Sequence, residues 1–212
     1  MSSHNFAQDE RSLLCDLLEQ LGPDAPTLCE GWTTKDLAAH LYVREQRPDA
    51  AIGIVAPPFA GYSERIRREV ADRDFEKLVS QVRSGPPRVS VFALPGIDRL
   101  ANTMEYFIHH EDVLRAQTDN TPRTLAQGLQ LDLWNVLRKM SKLLLRKAPV
   151  GAELVCPELG SVVACSKHPA VVLTASVSEL AVFCYGRQGA ANVAFSGADS
   201  DVESLCLAKF SI

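Results

Sequence analysis

The segment Asn102-Thr-Met-Glu105-Tyr-Phe-Ile-His109-His110-Glu111-Asp112 sets a carboxylate and an imidazole four residues apart within an apolar run. Residues at i and i+4 stack on one helix face, so Glu105 and His109 can aim at a common point. Well upstream, Trp32-Thr-Thr-Lys-Asp-Leu-Ala-Ala-His40-Leu41 carries a further histidine on a second helical pattern. Where two such helices cross, His40, Glu105 and His109 make a three-ligand site for a divalent metal. Imidazole nitrogens and a carboxylate oxygen suit zinc, and three protein ligands leave a position open for water or substrate. Asn102, Glu105, His109 and Asp112 share one polar stripe of an otherwise apolar helix. Such a stripe must be paired, solvated or metal-bound, because unpaired burial is costly. Asp112 or Asn102 is placed to accept a hydrogen bond from the outer imidazole nitrogen. The spacing alone favours a plainer reading, with a surface Glu–His contact and a satisfied core histidine. Neither the Glu-x2-His repeat of di-iron bundles nor the His-Glu-x2-His of zinc proteases occurs.

The remaining reactive side chains are read as follows. His110 lies about 100° round the helix from His109 and is expected to be exposed or packed. Cys29 has no histidine at a usable sequence distance and is expected to be a small buried residue rather than a reactive thiol. Arg44, one turn after His40, can grip a substrate carboxylate with its planar fork or pair with Glu45 or another acid. Arg187 follows Gly186 at a helix end, either reaching the bundle or sitting as a cation on the helix dipole. Arg65, Arg67, Arg68 and Arg73 interleave with Glu64, Glu69 and Asp72, which reads as a solvated helix face. His4 and His168 are given no chemical role.

Helices must position these groups. Leu13, Leu14, Leu17, Leu18 and Leu21 give residues 6–21 one apolar stripe, ended by Gly22-Pro23. Thr33 or Thr34 opens the His40 helix, with a Thr33/Asp36 capping box, and Pro48 closes it. Residues 56–61 read as a loop, and 62–70 and 75–83 as short helices. Ser84-Gly-Pro-Pro87 breaks the chain before the Glu105/His109 helix, expected over 98–116. Residues 124–145 carry a stripe of Leu129, Leu133, Val136, Leu137, Met140 and Leu144, read as a bundle face. After Pro149 the texture changes. Short Val- and Leu-rich runs at 153–156, 161–165, 170–174 and 192–196 read as strands, and 178–185 and 201–209 as helices. The expected domains are a helical bundle over 1–148 and a small α/β unit over 149–212.

The 212 residues are enough for a sizeable core. Lys and Arg number 22 against 26 Asp and Glu, a formal charge of −4, which argues against nucleic acid as a partner. Six cysteines (Cys15, Cys29, Cys156, Cys165, Cys184, Cys206) form no CxxC pair. With no signal-peptide pattern at the start and no long apolar run, this points to a reduced, cytoplasmic protein that does not engage a membrane.

Two stretches resemble a known family. Leu28-Cys-Glu-Gly-Trp32-Thr-Thr-Lys-Asp36-Leu-Ala-Ala-His40-Leu41 and Asn102-x2-Glu105-x3-His109-His-Glu-Asp112 are similar to the mycothiol-dependent maleylpyruvate isomerase group. That group lies within the DinB-like (YfiT-like) superfamily of metal-binding four-helix bundles. Ser178-Glu-Leu-Ala-Val-Phe-Cys-Tyr-Gly186-Arg187 resembles the sterol-carrier-like C-terminal domain of those isomerases, and the motif wording an actinobacterial subfamily described as metal-binding proteins. The resemblance implies an α+β chain, a DinB-like bundle followed by a sterol-carrier-like α/β domain. It implies metal ligands at His40, Glu105 and His109, zinc as the metal, and mycothiol as cofactor or co-substrate. The expected activity is thiol transfer to a small electrophile or its isomerisation, with Arg44 and Arg187 as anchors and Asn102 and Asp112 behind the ligands. The pocket expected is the groove between bundle and appendage. Partners are a small-molecule substrate and a thiol, with a homodimer as an option. The rival readings are a non-catalytic metal-binding module whose C-terminal domain takes a lipid or other ligand, and a metal-less sensor.

Overall fold

The computed structural model describes residues 4–86, 102–118 and 123–210. Among these residues the chain is α+β, with nine α-helices and one four-stranded sheet. Its contacts group it into two units, residues 1–122 and 123–212.

The first unit is helical: α1 (Phe6–Leu21), α2 (Thr34–Gln46), α3 (Pro48–Val55), α4 (Ala60–Ala71), α5 (Phe75–Ser84) and α6 (Thr103–Leu114). α1 packs on α6 and α5, and α2 on α4, α5 and α3. Leu14, Leu18, Leu37, Leu41, Val70, Val79, Tyr106 and Val113 belong to one buried cluster, which holds the helices of the site in register. Asn5 caps α1 by accepting from the Gln8 N–H. The expected capping box opens α2, the Asp36 carboxylate accepting from the Thr33 N–H and Oγ1, each at 3.0 Å.

Three details differ from the sequence reading. Leu13 is 47% exposed, because the buried stripe of α1 centres on Leu14 and Leu18 and also takes in Ala7, Glu10 and Arg11. Pro48 not only ends α2 but begins α3, since a proline lacks only an N–H that a first helical turn leaves unpaired. Pro57–Phe59 forms a 3-10 turn, and α4 begins at Ala60 inside the expected loop. The expected start of the Glu105 helix at 98 lies outside the described residues.

The second unit comprises α7 (Gln127–Leu144), β1 (Gly151–Cys156), β2 (Gly160–Cys165), β3 (Ala170–Thr174), α8 (Val177–Cys184), β4 (Ala194–Ser196) and α9 (Asp199–Leu207). The sheet order is β2-β1-β3-β4. β1 runs antiparallel to β2 and parallel to β3, and β3 antiparallel to β4, with Leu154 beside Leu173 and Leu173 beside Phe195. At Gly151 a Cβ would run into the Lys167 carbonyl oxygen, so only glycine lets the chain enter β1 there. The stripe of α7, with Leu129, Leu133, Val136 and Leu137 buried, packs on β2 and α8. The sequence reading assigns that stripe to the bundle, because an apolar stripe declares a buried face and not the element that buries it. Among the described residues no helix is long and apolar enough to cross a membrane.

Candidate metal centre

His40 comes from the middle of α2, and Glu105 and His109 from successive turns of α6. The three side chains meet. His40 Nε2 lies 3.4 Å and His109 Nε2 3.3 Å from Glu105 Oε1, and the imidazole centroids are 5.2 Å apart. The three donor atoms fall within 4.8 Å of one another. Zinc–ligand bonds of about 2.1 Å at a tetrahedral angle place their donor atoms about 3.4 Å apart, so the two separations from Glu105 Oε1 are compatible with such a cation. The donor set, two imidazoles and one carboxylate, is that of open zinc sites.

Around the three, other side chains fix orientation and charge. Asp112 Oδ2 sits 3.0 Å from His109 Nδ1, which leaves Nε2 turned to Glu105. Of the two residues expected near that nitrogen, Asp112 is the one that lies at hydrogen-bond distance from it. Asn102 serves a different partner, with its Oδ1 accepting from Arg44 Nη1 at 2.6 Å. Arg44 pairs with an acid, as one reading allowed: its Nε lies 3.3 Å from Glu105 Oε1. Burial works against the Glu105 charge, but Arg44 and the two imidazoles outweigh it and hold the carboxyl well below the usual range. Burial likewise works against a charged His109, yet the bonds to Asp112, Cys29 and Glu105 outweigh it and raise the imidazole well above its ordinary value. His40 is lowered by burial, which Glu105 offsets only in part.

A cavity of about 280 Å³ opens beside His40, lined by Trp32, Val43, Ser63, Glu64 and Arg67. Arg67 departs from the solvated reading of its helix. It is 7% exposed, stacks over Trp32 at 4.7 Å, and donates to Asp36 at 2.6 Å and Glu64 at 2.7 Å. Trp32 packs on His40 in turn, with centroids 5.2 Å apart.

Cys29 also departs from expectation. It is partly rather than fully buried, and its Sγ donates to Asp112 Oδ2 at 3.2 Å. The histidine it lacks along the sequence is His109, brought to it by the fold. His110 is packed, as one of the two readings had it, with Nδ1 3.4 Å from Glu10 Oε2 of α1. Behind the site, Arg11 and Tyr106 both donate to buried Glu45, at 2.6 and 2.8 Å. That network was not foreseen, since no spacing links residues so far apart. In the second unit, the Arg187 guanidinium donates to the Tyr185 carbonyl at the end of α8.

Residues 7–94 match the sequence model of the mycothiol maleylpyruvate isomerase N-terminal domain. This stretch of the chain is similar to that family. The matched segment includes Cys29, Trp32, His40 and Arg44 and ends before Glu105 and His109, so the family match and the meeting of the three side chains are separate observations. No curated protein and no solved structure matches the chain.

Proposed function

We propose that this protein is a metal-dependent enzyme that uses a low-molecular-weight thiol, mycothiol, to transfer the thiol to a small electrophile or to isomerise it. The observation that carries the reading is the convergence of His40, Glu105 and His109 in a chain whose residues 7–94 are similar to the mycothiol maleylpyruvate isomerase N-terminal domain. His40 Nε2, Glu105 Oε1 and His109 Nε2 are the assigned ligands, and zinc the assigned metal. A divalent cation held there would supply a Lewis acid that favours the thiolate form of a thiol at neutral pH.

The chain's own residues prepare that chemistry. Asp112 holds the His109 ring so that Nε2 faces inward. Arg44, itself oriented by Asn102, keeps Glu105 ionised and in place. Trp32 and Arg67 wall the cavity beside His40, where a substrate reaches the site from the α4 side. Arg44 is also assigned as an anchor for an acidic substrate or the thiol. Arg187 joins it on the sequence resemblance alone, as does the sterol-carrier-like identity of the second unit.

The test combines metal analysis with turnover. Purified wild type is expected to carry about one equivalent of divalent metal, and His40→Ala and Glu105→Ala to lose it. Metal-loaded wild type is expected to consume mycothiol with maleylpyruvate or a bromobimane-type electrophile. Equal metal content in all three proteins would overturn the ligand assignment. Absence of metal-dependent turnover with either substrate would overturn the enzyme reading.

A further inference from the structure

One tight turn bears on the outer side of both imidazoles. The Trp32 N–H donates to the Cys29 carbonyl at 2.9 Å, and Gly31 holds the third position with φ 74°. That is the backbone region a type II turn requires there and side-chain-bearing residues avoid. Thr27 Oγ1 ties both ends, accepting from the Cys29 N–H at 3.2 Å and donating to the Trp32 carbonyl at 2.9 Å. The Leu28 N–H donates to the Asp112 backbone carbonyl at 3.0 Å and docks the turn on α6. From this platform Cys29 Sγ reaches Asp112 Oδ2, the same oxygen that faces His109 Nδ1. At the other end the Trp32 ring packs on His40.

We infer that the turn at residues 29–32 is a positioning device for the cation site, in which Cys29 orients both Asp112 and the ring of His109 against it, while Trp32 braces His40. The inference rests on the metal reading given above. The Cys29 thiol and the His109 ring converge on one oxygen of Asp112, so the rotation of that carboxylate is fixed from two sides. With the thiol removed, the carboxylate loses one of these constraints, and His109 loses the fixed partner that keeps Nε2 turned inward. Cys29 acts as a donor to the carboxylate and does not itself bind the cation. A serine keeps a donor at this place and an alanine does not. At Gly31 there is open space for a Cβ, so Gly31→Ala acts on the backbone conformation of the turn rather than through a clash.

The experiment measures zinc affinity of the full chain by chelator competition and, separately, the imidazole nitrogen resonances of the metal-free protein. Cys29→Ala is expected to weaken zinc binding about tenfold, the low end of the loss that follows removal of a residue behind a ligand. Gly31→Ala is expected to weaken it as well, and Cys29→Ser to stay near wild type. In the metal-free protein, Cys29→Ala is expected to move the His109 nitrogen signals and leave those of His110 in place. Unchanged affinity together with unchanged His109 signals in Cys29→Ala would overturn the inference. So would a thiolate-to-cobalt charge-transfer band in the cobalt-loaded wild type that vanishes in Cys29→Ala, because Cys29 would then be a ligand. If the wild type takes up no zinc, the metal reading falls by itself, and the imidazole signals decide the positioning role alone.

Discussion

His109 engages carboxylates of its own helix at both ring nitrogens, Glu105 at Nε2 and Asp112 at Nδ1. A cation arriving at Nε2 competes with the proton that these neighbours stabilise on the ring. The imidazole sits well above its ordinary value, so lowering the pH restores the competitor and raising it removes the competitor. Apparent zinc affinity is therefore expected to climb with pH, by about tenfold per unit where one proton is displaced. A chelator titration repeated at several pH values checks the sign, and an affinity flat in pH would contradict it. A second prediction concerns Arg44. Arg44→Gln removes the positive charge beside Glu105 and should raise the Glu105 carboxyl toward its usual range, since burial is then less opposed. Proton competition at Glu105 then reaches higher pH, and infrared titration of the carboxylate band reads it.

At this scale the sequence was legible where residues lie on one helix. Glu105, His109 and Asp112 are related by helical period, and their shared face follows from it. His40 was legible as a candidate, but its meeting with α6 is a tertiary fact that no spacing encodes. Cys29 was not legible, because its partners lie far along the chain in α6 and its neighbours in sequence say nothing of them. The flanking Gly31 and Trp32 carried the available signal. A Cys-Glu-Gly-Trp run before a capped helix marks a tight turn, and a tight turn holds its end residues in fixed places.

Among the elements, α2 depends most on its first turn. Asp36 accepts from Thr33 there and from Arg67 of α4, so one carboxylate both caps the helix and fastens its neighbour. Asp36→Ala breaks both and leaves the buried Arg67 guanidinium with its bonds to Glu64, at an expected cost of about 1–2 kcal/mol measured by denaturant unfolding. The Arg67 pairing also sets a pH dependence. Its bonds to Glu64 lower that carboxyl from 4.5 to about 2, with Arg68 adding to the effect. A depressed carboxylate stabilises the fold above its unfolded value and loses that contribution as pH falls through the folded one. The share of stability assigned to Glu64 is thus expected to fade between about pH 4.5 and 2. Unfolding curves of wild type and Glu64→Gln should converge across that window. The helices were mostly legible because their stripes and breakers agree. α3 is not, since a proline after a helical run signals a stop, while prolines serve at both ends of helices.

For the whole molecule, the informative element is α7. Its buried leucines face β2 and α8, and without them that side of the sheet layer loses its cover. A fragment of residues 123–212 is expected to show a cooperative thermal transition by circular dichroism, and one of residues 149–212 to lack it. The reverse result would favour a boundary near 148. Four short strands and two helices after Pro149 were legible from composition, but the placement of α7 was not, because a leucine stripe fits a helix face and a sheet face equally well.

The contact of Arg67 with Trp32 and Asp36 gives α4 a double attachment. Its residues Ser63 and Glu64 wall the cavity beside His40, while Arg67 is bound to the first turn of the helix that carries that histidine. A guest too bulky for the hollow cannot push this wall outward without straining the clasp on α2. Admission by size and the seating of the imidazole are therefore mechanically joined, and trimming the wall is a different operation from loosening the clasp.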